Sequence, residues 1–204
     1  GLAPDILVCR TENENHLNEK LKKKLGLFCN VEPTHVFESP DVNTIYSIPL
    51  ILFKQNFDSI ILKTLGLKKA GRHKNIKLLE KFIYRYYNPK GTVNIAICGK
   101  YNGLHDAYKS VLEALIHAGV DNFVKVEVKW INTEKLEETN NLAKYFEGID
   151  GIIIPGGFGN RGIEGKISAS KFARENSIPF LGICLGLQCA VIDYARHQCN
   201  LTNA

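Results

Sequence analysis

Phe180-Leu181-Gly182-Ile183-Cys184-Leu185-Gly186 runs from a short apolar stretch, through a cysteine bracketed by two glycines, straight into an amphipathic segment. A strand that reverses sharply into a helix forces its turn residue into a strained backbone conformation, so small residues are needed on both sides, here Gly182 and Gly186. The pattern predicts a nucleophile elbow with Cys184 at its tip, pushed out of the sheet edge toward solvent. A helix N-terminus directly behind the sulfur supplies unpaired N–H groups and the positive end of a dipole, the setting in which a cysteine becomes a nucleophile.

Working outward from this turn, the strand beneath it is Pro179 to Ile183 and the helix after it Leu185 to His197. Upstream the chain alternates regularly: a strand at Val93 to Cys98, a helix capped by Asp106 and ended by Gly119, and a strand at Val124 to Trp130. A helix over Leu136 to Phe146, a buried strand at Gly151 to Ile154 and a helix over Gly165 to Asn176 follow. Strands spaced by helices imply βαβ crossovers, hence an α/β fold with a parallel sheet covered on both faces.

The first third reads differently. Asp5 to Arg10 is a short apolar run bounded by Pro4, predicting a strand. Leu17, Leu21 and Leu25 recur every fourth residue among Lys20, Lys22, Lys23 and Lys24, predicting a helix with one apolar stripe that Gly26 terminates. A short strand at His35-Val36-Phe37 precedes two short helices between Ile45 and Leu67, with Pro49 and Asn56-Phe57-Asp58 as boundaries. Lys68 to Asn75 has the polar, basic composition of a linker, and Asn88-Pro89-Lys90-Gly91 stops the helix Ile76 to Tyr87. The expected organisation is residues 1–67, a linker and helix over 68–91, and a second domain over 92–204.

The 204 residues carry a net charge of +5, and 45% are hydrophobic, which suits a globular chain with a sizeable core. No stretch approaches the roughly 18 apolar residues of a membrane-spanning helix, so no membrane association is expected. The lysines lack the interleaved aromatics of a nucleic-acid stacking platform, so no nucleic-acid partner is expected either. Six cysteines without a CxxC pair point to free thiols in a reducing compartment, the cytoplasm, with Cys189 and Cys199 as packing residues. The chain begins with Gly and contains no Met, as a fragment or a processed form would.

A second glycine cluster, Pro155-Gly156-Gly157-Phe158-Gly159, follows the strand Gly151 to Ile154. In an open α/β sheet, ligands bind beyond the carboxyl ends of the strands, where this loop and Cys184 both fall. A nucleophile attacking a carbonyl needs donors aimed at the developing oxyanion. The N–H of Gly157 and the N–H of Leu185 are the candidates.

Leu181 to Gln188, with Pro155 to Gly159 upstream, resembles a class I (triad type) glutamine amidotransferase domain. Further stretches are similar to the CTP synthase family: Asp106 to Ser110, Arg161 to Lys166, Phe172 to Asn176, Ile192 to His197, and in the first part Leu27 to Val31, Asp41-Val42 and Ser47 to Pro49. The resemblance covers nearly the whole chain. It implies a flavodoxin-like parallel sheet of the class I amidotransferase type, preceded by the tail of a P-loop-like α/β amidoligase domain. It also implies a ligase that hydrolyses glutamine at one site, and at another uses ATP to activate UTP for amination by the released ammonia.

Carried over residue by residue, the resemblance makes Cys184 the nucleophile and Gly157 a glutamine and oxyanion contact. Leu185, Gly186, Leu187 and Gln188 would line the glutamine pocket. Lys24 would contact UTP or the feedback inhibitor CTP, and Pro40, Asp41 and Val42 would border ATP. No metal ligand is expected within this chain, the Mg2+ ligands of the ATP site being implied upstream of Gly1. The histidine and glutamate of the triad are implied downstream of Ala204. His197, His105 and His117 are not candidates for that histidine. GTP as an activator and a homo-tetramer are implied as well, with Lys100, Tyr101 and Lys109 in stretches that could face the allosteric nucleotide. The residues alone also admit another cysteine hydrolase of flavodoxin-like fold, or a noncatalytic glutaminase-like interaction module.

Overall fold

In a computed structural model, which describes residues 3–12, 16–68, 74–99, 105–139, 141–157 and 159–204, the chain divides into two compact units, Gly1–Tyr84 and Arg85–Ala204. The expected linker residues 69–73, with Lys100 and Tyr101, lie outside the described residues.

In the first unit β1 (Leu7–Thr11) and β2 (Val36–Pro40) pair in parallel, from Leu7 opposite Val36 to Thr11 opposite Pro40. Their crossover is α1 (Glu19–Cys29), whose N-cap Asn18 accepts the Leu21 N–H at 3.0 Å. Leu17 and Leu25 pack with Val31, Val36 and Leu7, whereas Leu21 stays 42% exposed. The helix does not end at Gly26. It continues through Leu27, Phe28 and Cys29 and ends at Asn30, which adopts the left-handed conformation at φ 54°. Gly26 is needed for another reason: a Cβ there would lie 2.5 Å from the Val31 carbonyl oxygen, because the returning chain crosses over it.

The two short helices expected after β2 are α2 (Ile48–Lys54), with Pro49 in its first turn, and α3 (Phe57–Thr64), with Asn56 between them at φ 62°. The side chain of Gln55 pairs with both backbone groups of Glu38, accepting its N–H at 2.9 Å and donating to its carbonyl at 2.8 Å. An amide side chain thereby does for β2 what a neighbouring strand would do. Phe37 and Phe57 meet edge to face at 4.8 Å. The helix expected over Ile76 to Tyr87 is α4 (Lys74–Tyr87).

The second unit is built on a four-stranded sheet of β3 (Gly91–Gly99), β4 (Val124–Asn132), β5 (Gly151–Ile154) and β6 (Phe180–Gly182). The order is β4-β3-β5-β6 and every pair is parallel. This is the flavodoxin-like order, with the switch point between β3 and β5. All four residues of β5 are buried, as a strand covered on both faces requires, whereas β4 alternates along its length as an edge strand does. One core layer joins Ala96, Cys98, Ile131, Ile152 and Ile154 to Ala169 and Ala173 of α8 (Ile163–Glu175). Strand alternation turns Ile97 and Ile153 to the opposite face.

Two helix ends differ from the sequence expectation. α5 (Lys109–Asp121) runs past Gly119 to Asn122, and Gly119 is instead the point where helix and strand touch, since a Cβ there would lie 2.7 Å from the Val124 carbonyl oxygen. Asp106 falls in the 3₁₀ turn His105–Tyr108 ahead of α5. The single helix expected over Leu136 to Phe146 is two pieces, α6 (Thr133–Glu137) and α7 (Ala143–Phe146). Between them the Asn141 N–H donates to the Thr139 hydroxyl at 3.1 Å, and the Asn141 side chain accepts the Lys144 N–H at 3.4 Å. These local bonds compete with the helical ladder and break it.

The last helix, α9 (Leu185–Gln198), is tied to α8 through Asp193. That carboxylate is 1% exposed and accepts from Arg174 Nε at 3.0 Å and Nη2 at 3.2 Å, while His197 Nδ1 lies 3.0 Å from it. A buried, bidentate carboxylate of this kind fixes the relative placement of the two helices. Arg196 adds a second tie to α8, pairing with both oxygens of Glu164.

Candidate active site

Cys184 is the N-cap of α9 and has φ 54° and ψ −110°, a conformation that L-residues rarely adopt. The strand-to-helix reversal expected from the sequence is therefore present, with the strain on the cysteine itself. Its flanking glycines are explained by packing. A Cβ on Gly182 would lie 2.6 Å from the Gly186 carbonyl carbon and the Leu187 nitrogen, and one on Gly186 would overlap the Ile154 carbonyl oxygen. The same Ile154 oxygen accepts the Ile183 N–H at 2.9 Å, so β5, the turn and the first turn of α9 are pressed together at backbone contact.

The positive φ has a measurable consequence. Cys184→Gly is expected to be more stable than Cys184→Ala by about 1 kcal/mol, because glycine populates this region without a Cβ penalty. Thermal unfolding of the two variants in the full-length protein checks it; an alanine variant as stable as the glycine variant would show the turn to be unstrained.

The glycine loop after β5 meets the elbow directly. A Cβ on Gly156 would lie 3.5 Å from Cys184 Cβ and 3.9 Å from Sγ, and one on Gly157 would lie 3.9 Å from Leu185 Cδ2. Phe158, between Gly157 and Gly159, lies outside the described residues. The far end of the loop is clamped at the start of α8. Gly162 has φ 76°, a Cβ on Gly165 would overlap the Thr133 carbonyl oxygen, and Arg161 is ion-paired with Glu134.

The Cys184 carbonyl accepts the N–H groups of Leu187 at 3.0 Å and Gln188 at 3.3 Å, as an N-cap carbonyl does. Leu185 is the first helical residue, and its N–H has no acceptor four residues back within the helix. Cys184, Leu187 and Gln188 are exposed, Leu185 is half-buried and Gly186 is buried. An exposed thiol beside a bare-backbone loop and an orphan helical N–H can attack a carbonyl carbon and receive the resulting oxyanion.

The structure thus brings Cys184, Gly157, Leu185, Gly186, Leu187 and Gln188 into one place at the carboxyl ends of β5 and β6. Gly156, expected only as part of a loop, packs against the thiol side chain. Lys24, exposed on α1, Pro40 at the end of β2, and Asp41 and Val42 after it belong to the first unit. There Asp41 donates its N–H to the Thr11 carbonyl at 2.8 Å and accepts from Arg10 Nη2 at 2.6 Å, across the carboxyl ends of the two parallel strands. Lys109 is engaged with Glu113 at 3.0 Å.

The other cysteines sort differently. Cys98 and Cys189 are fully buried, and burial pushes both thiols up from their ordinary range. Cys199, expected to be a packing residue, is an exposed helix C-cap. His197 is turned to Asp193, its Nδ1 3.0 Å from the Asp193 carbonyl, in the last turn of α9 at the opposite end from the thiol. Among the described residues no cluster of three His, Cys, Asp or Glu side chains is placed to hold a metal ion, and no helix is long and apolar enough to cross a membrane.

Two sequence families match this chain: CTP synthase N-terminus over residues 1–67 and Glutamine amidotransferase class-I over residues 104–202. The CTP synthases of Desulfovibrio desulfuricans and Methanocaldococcus jannaschii are 47% and 49% identical to it along its whole length. The chain belongs to the CTP synthase family. It spans 36% of the Desulfovibrio relative and 38% of the Methanocaldococcus relative. The CTP synthase of Chlorobaculum parvum is 48% identical, again with 36% of the relative covered. Among solved structures, the glutaminase domain of Trypanosoma brucei CTPS with bound acivicin aligns with a TM-score of 0.47 and 41% identity, over 52% of this chain and 41% of that one.

Proposed function

We propose that this chain carries the nucleophilic half of the glutaminase site of a CTP synthase, an ATP-dependent ligase that aminates UTP. The carrying observation is Cys184, held at φ 54° at the head of α9 and packed against the Gly156-Gly157 loop. The sulfur attacks the side-chain amide carbon of glutamine, forming a C–S bond, and the charge that develops on the amide oxygen is met by the N–H groups of Gly157 and Leu185. As the tetrahedral adduct collapses, the departing nitrogen takes a proton from a general acid, the C–N bond breaks and ammonia leaves. Water then cleaves the thioester to glutamate and restores the thiol. Gly186, Leu187 and Gln188 line the glutamine pocket. A histidine oriented by a glutamate moves the protons.

In the synthetase reaction, the O4 of UTP is phosphorylated by ATP and ammonia displaces the phosphate to give CTP. Residues 1–67 are the end of that synthetase domain, 68–91 connect it, and 92–204 begin the glutaminase domain. Lys24 is a compact ammonium suited to the triphosphate of UTP or of the feedback inhibitor CTP, and Pro40, Asp41 and Val42 border ATP at the carboxyl ends of β1 and β2. The ion that accompanies ATP is Mg2+. Activation by GTP, a homo-tetrameric assembly and a cytoplasmic location complete the reading.

The test is to treat the full-length protein with an electrophilic glutamine analogue and map the adduct by peptide mass spectrometry. One adduct, on Cys184 and prevented by excess glutamine, is expected. A folded protein that acquires none on Cys184 would point instead to a noncatalytic glutaminase-like module, and an adduct without UTP or ATP binding to a different cysteine hydrolase.

A further inference from the structure

Lys166 is 2% exposed and among the largest fully buried side chains, an unusual place for a charge that water solvates well. It rises from the first turn of α8, where its own N–H donates to the Gly162 carbonyl at 3.2 Å, so its stem is anchored on a rigid element. Its Nζ reaches back under the loop after β5. The open Cβ direction of Gly157 ends 3.4 Å from that nitrogen.

Two further groups respond to the charge. Cys98, at the carboxyl end of β3, and Cys189, five residues after Cys184 on α9, both feel Lys166, which draws their thiols down against the burial that raises them. The ammonium therefore lies beside Gly157 and out of solvent, on a helix that packs against β3, β5 and α9. The loop touches both the elbow and this charge, since the Cβ direction of Gly156 meets Cys184 while that of Gly157 meets Lys166 Nζ and Leu185.

We infer that Lys166 is a positioning residue of the glutaminase site: its buried ammonium holds the Gly157 peptide so that the N–H faces the attacked carbonyl oxygen, and adds positive potential where the oxyanion forms. The inference rests on the thioester chemistry proposed above. A fixed charge in a water-excluded setting acts on charge that develops in the transition state far more than on neutral bound glutamine. Its removal should therefore appear in kcat and leave KM nearly unchanged. A lysine that only filled space would be replaced by methionine, of similar length and volume, at little kinetic cost.

The experiment uses the full-length protein with Lys166→Met, Lys166→Gln and Lys166→Arg. Two rates are measured: glutamine hydrolysis, and alkylation of Cys184 by iodoacetamide, a displacement at saturated carbon that forms no oxyanion. Lys166→Met is expected to lower kcat for glutamine by about 10- to 100-fold with KM within about threefold of the parent. Alkylation should proceed within about twofold of the parent rate, and Lys166→Arg should recover part of the lost kcat. An unchanged kcat in Lys166→Met overturns the inference. So does a parallel fall in hydrolysis and alkylation, which marks a collapsed elbow. Should Lys166→Met not fold, Lys166→Arg retaining more kcat than Lys166→Gln supports the inference, and equal loss in both overturns it. A parent protein that hydrolyses no glutamine overturns the glutaminase reading and this inference with it.

Discussion

Cys184→Ala is expected to abolish glutamine-dependent CTP formation in the full-length protein while leaving ammonia-dependent formation intact. Loss of a nucleophile removes the covalent path altogether, a fall on the order of 10⁴-fold or more in kcat for glutamine. Ammonia supplied from solution bypasses the thioester, so the synthetase step should stay within about twofold of the parent rate. Alanine is the right replacement because it keeps the Cβ that lies 3.5 Å from the Cβ direction of Gly156 and leaves the strained φ in place. Steady-state assays with glutamine and with ammonium chloride, run on the same preparation, check the split. If both activities survived, the ammonia would not come from Cys184; if both vanished, the variant would have lost its fold or the two sites would not be separable.

Gly186→Ala should have the next largest effect, on stability and glutaminase activity together. A Cβ there overlaps the carbonyl oxygen of Ile154, and neither partner is a flexible side-chain tip that could turn away. The Ile154 carbonyl also accepts the Ile183 N–H at 2.9 Å, so moving it opens the turn that carries Cys184. The alternative is for α9 to shift away from β5, against its ties to α8 through Asp193 and Arg196. Overpacking of this kind costs about 1–3 kcal/mol, and a displacement of about 1 Å at a nucleophile costs on the order of 10²-fold in rate. Thermal unfolding and glutamine hydrolysis should both fall, with ammonia-dependent synthesis less affected. A Gly186→Ala protein with parental melting temperature and glutaminase rate would mean that the β5–α9 contact relaxes without consequence.

Several glycines were visible in the sequence and assigned the wrong task. Gly26 and Gly119 look like helix terminators, yet both lie inside their helices, where another segment's backbone crosses too closely for a Cβ. What ends α1 is Asn30 in the left-handed region, and what ends α5 is the turn at Asn122 and Phe123, the latter at φ 59°. Local sequence cannot separate a glycine kept for its backbone freedom from one kept for lack of a side chain. The second need arises only from a neighbour distant along the chain.

The sequence by itself determined the alternation of strands and helices, the parallel sheet and the elbow cysteine. Each rests on local periodicity and on small residues at adjacent positions, which act before any tertiary contact exists. It also placed Gly157 opposite the elbow, because strand ends in a parallel sheet share one edge. Only the tertiary structure decided that Gly156 packs against Cys184, that Asp193 locks α9 to α8, and that Lys166 is buried beside Gly157. A lysine in the first turn of a helix reads as solvated. Its burial follows from where β3, α9 and the loop after β5 converge in space, and no spacing along the chain records that convergence.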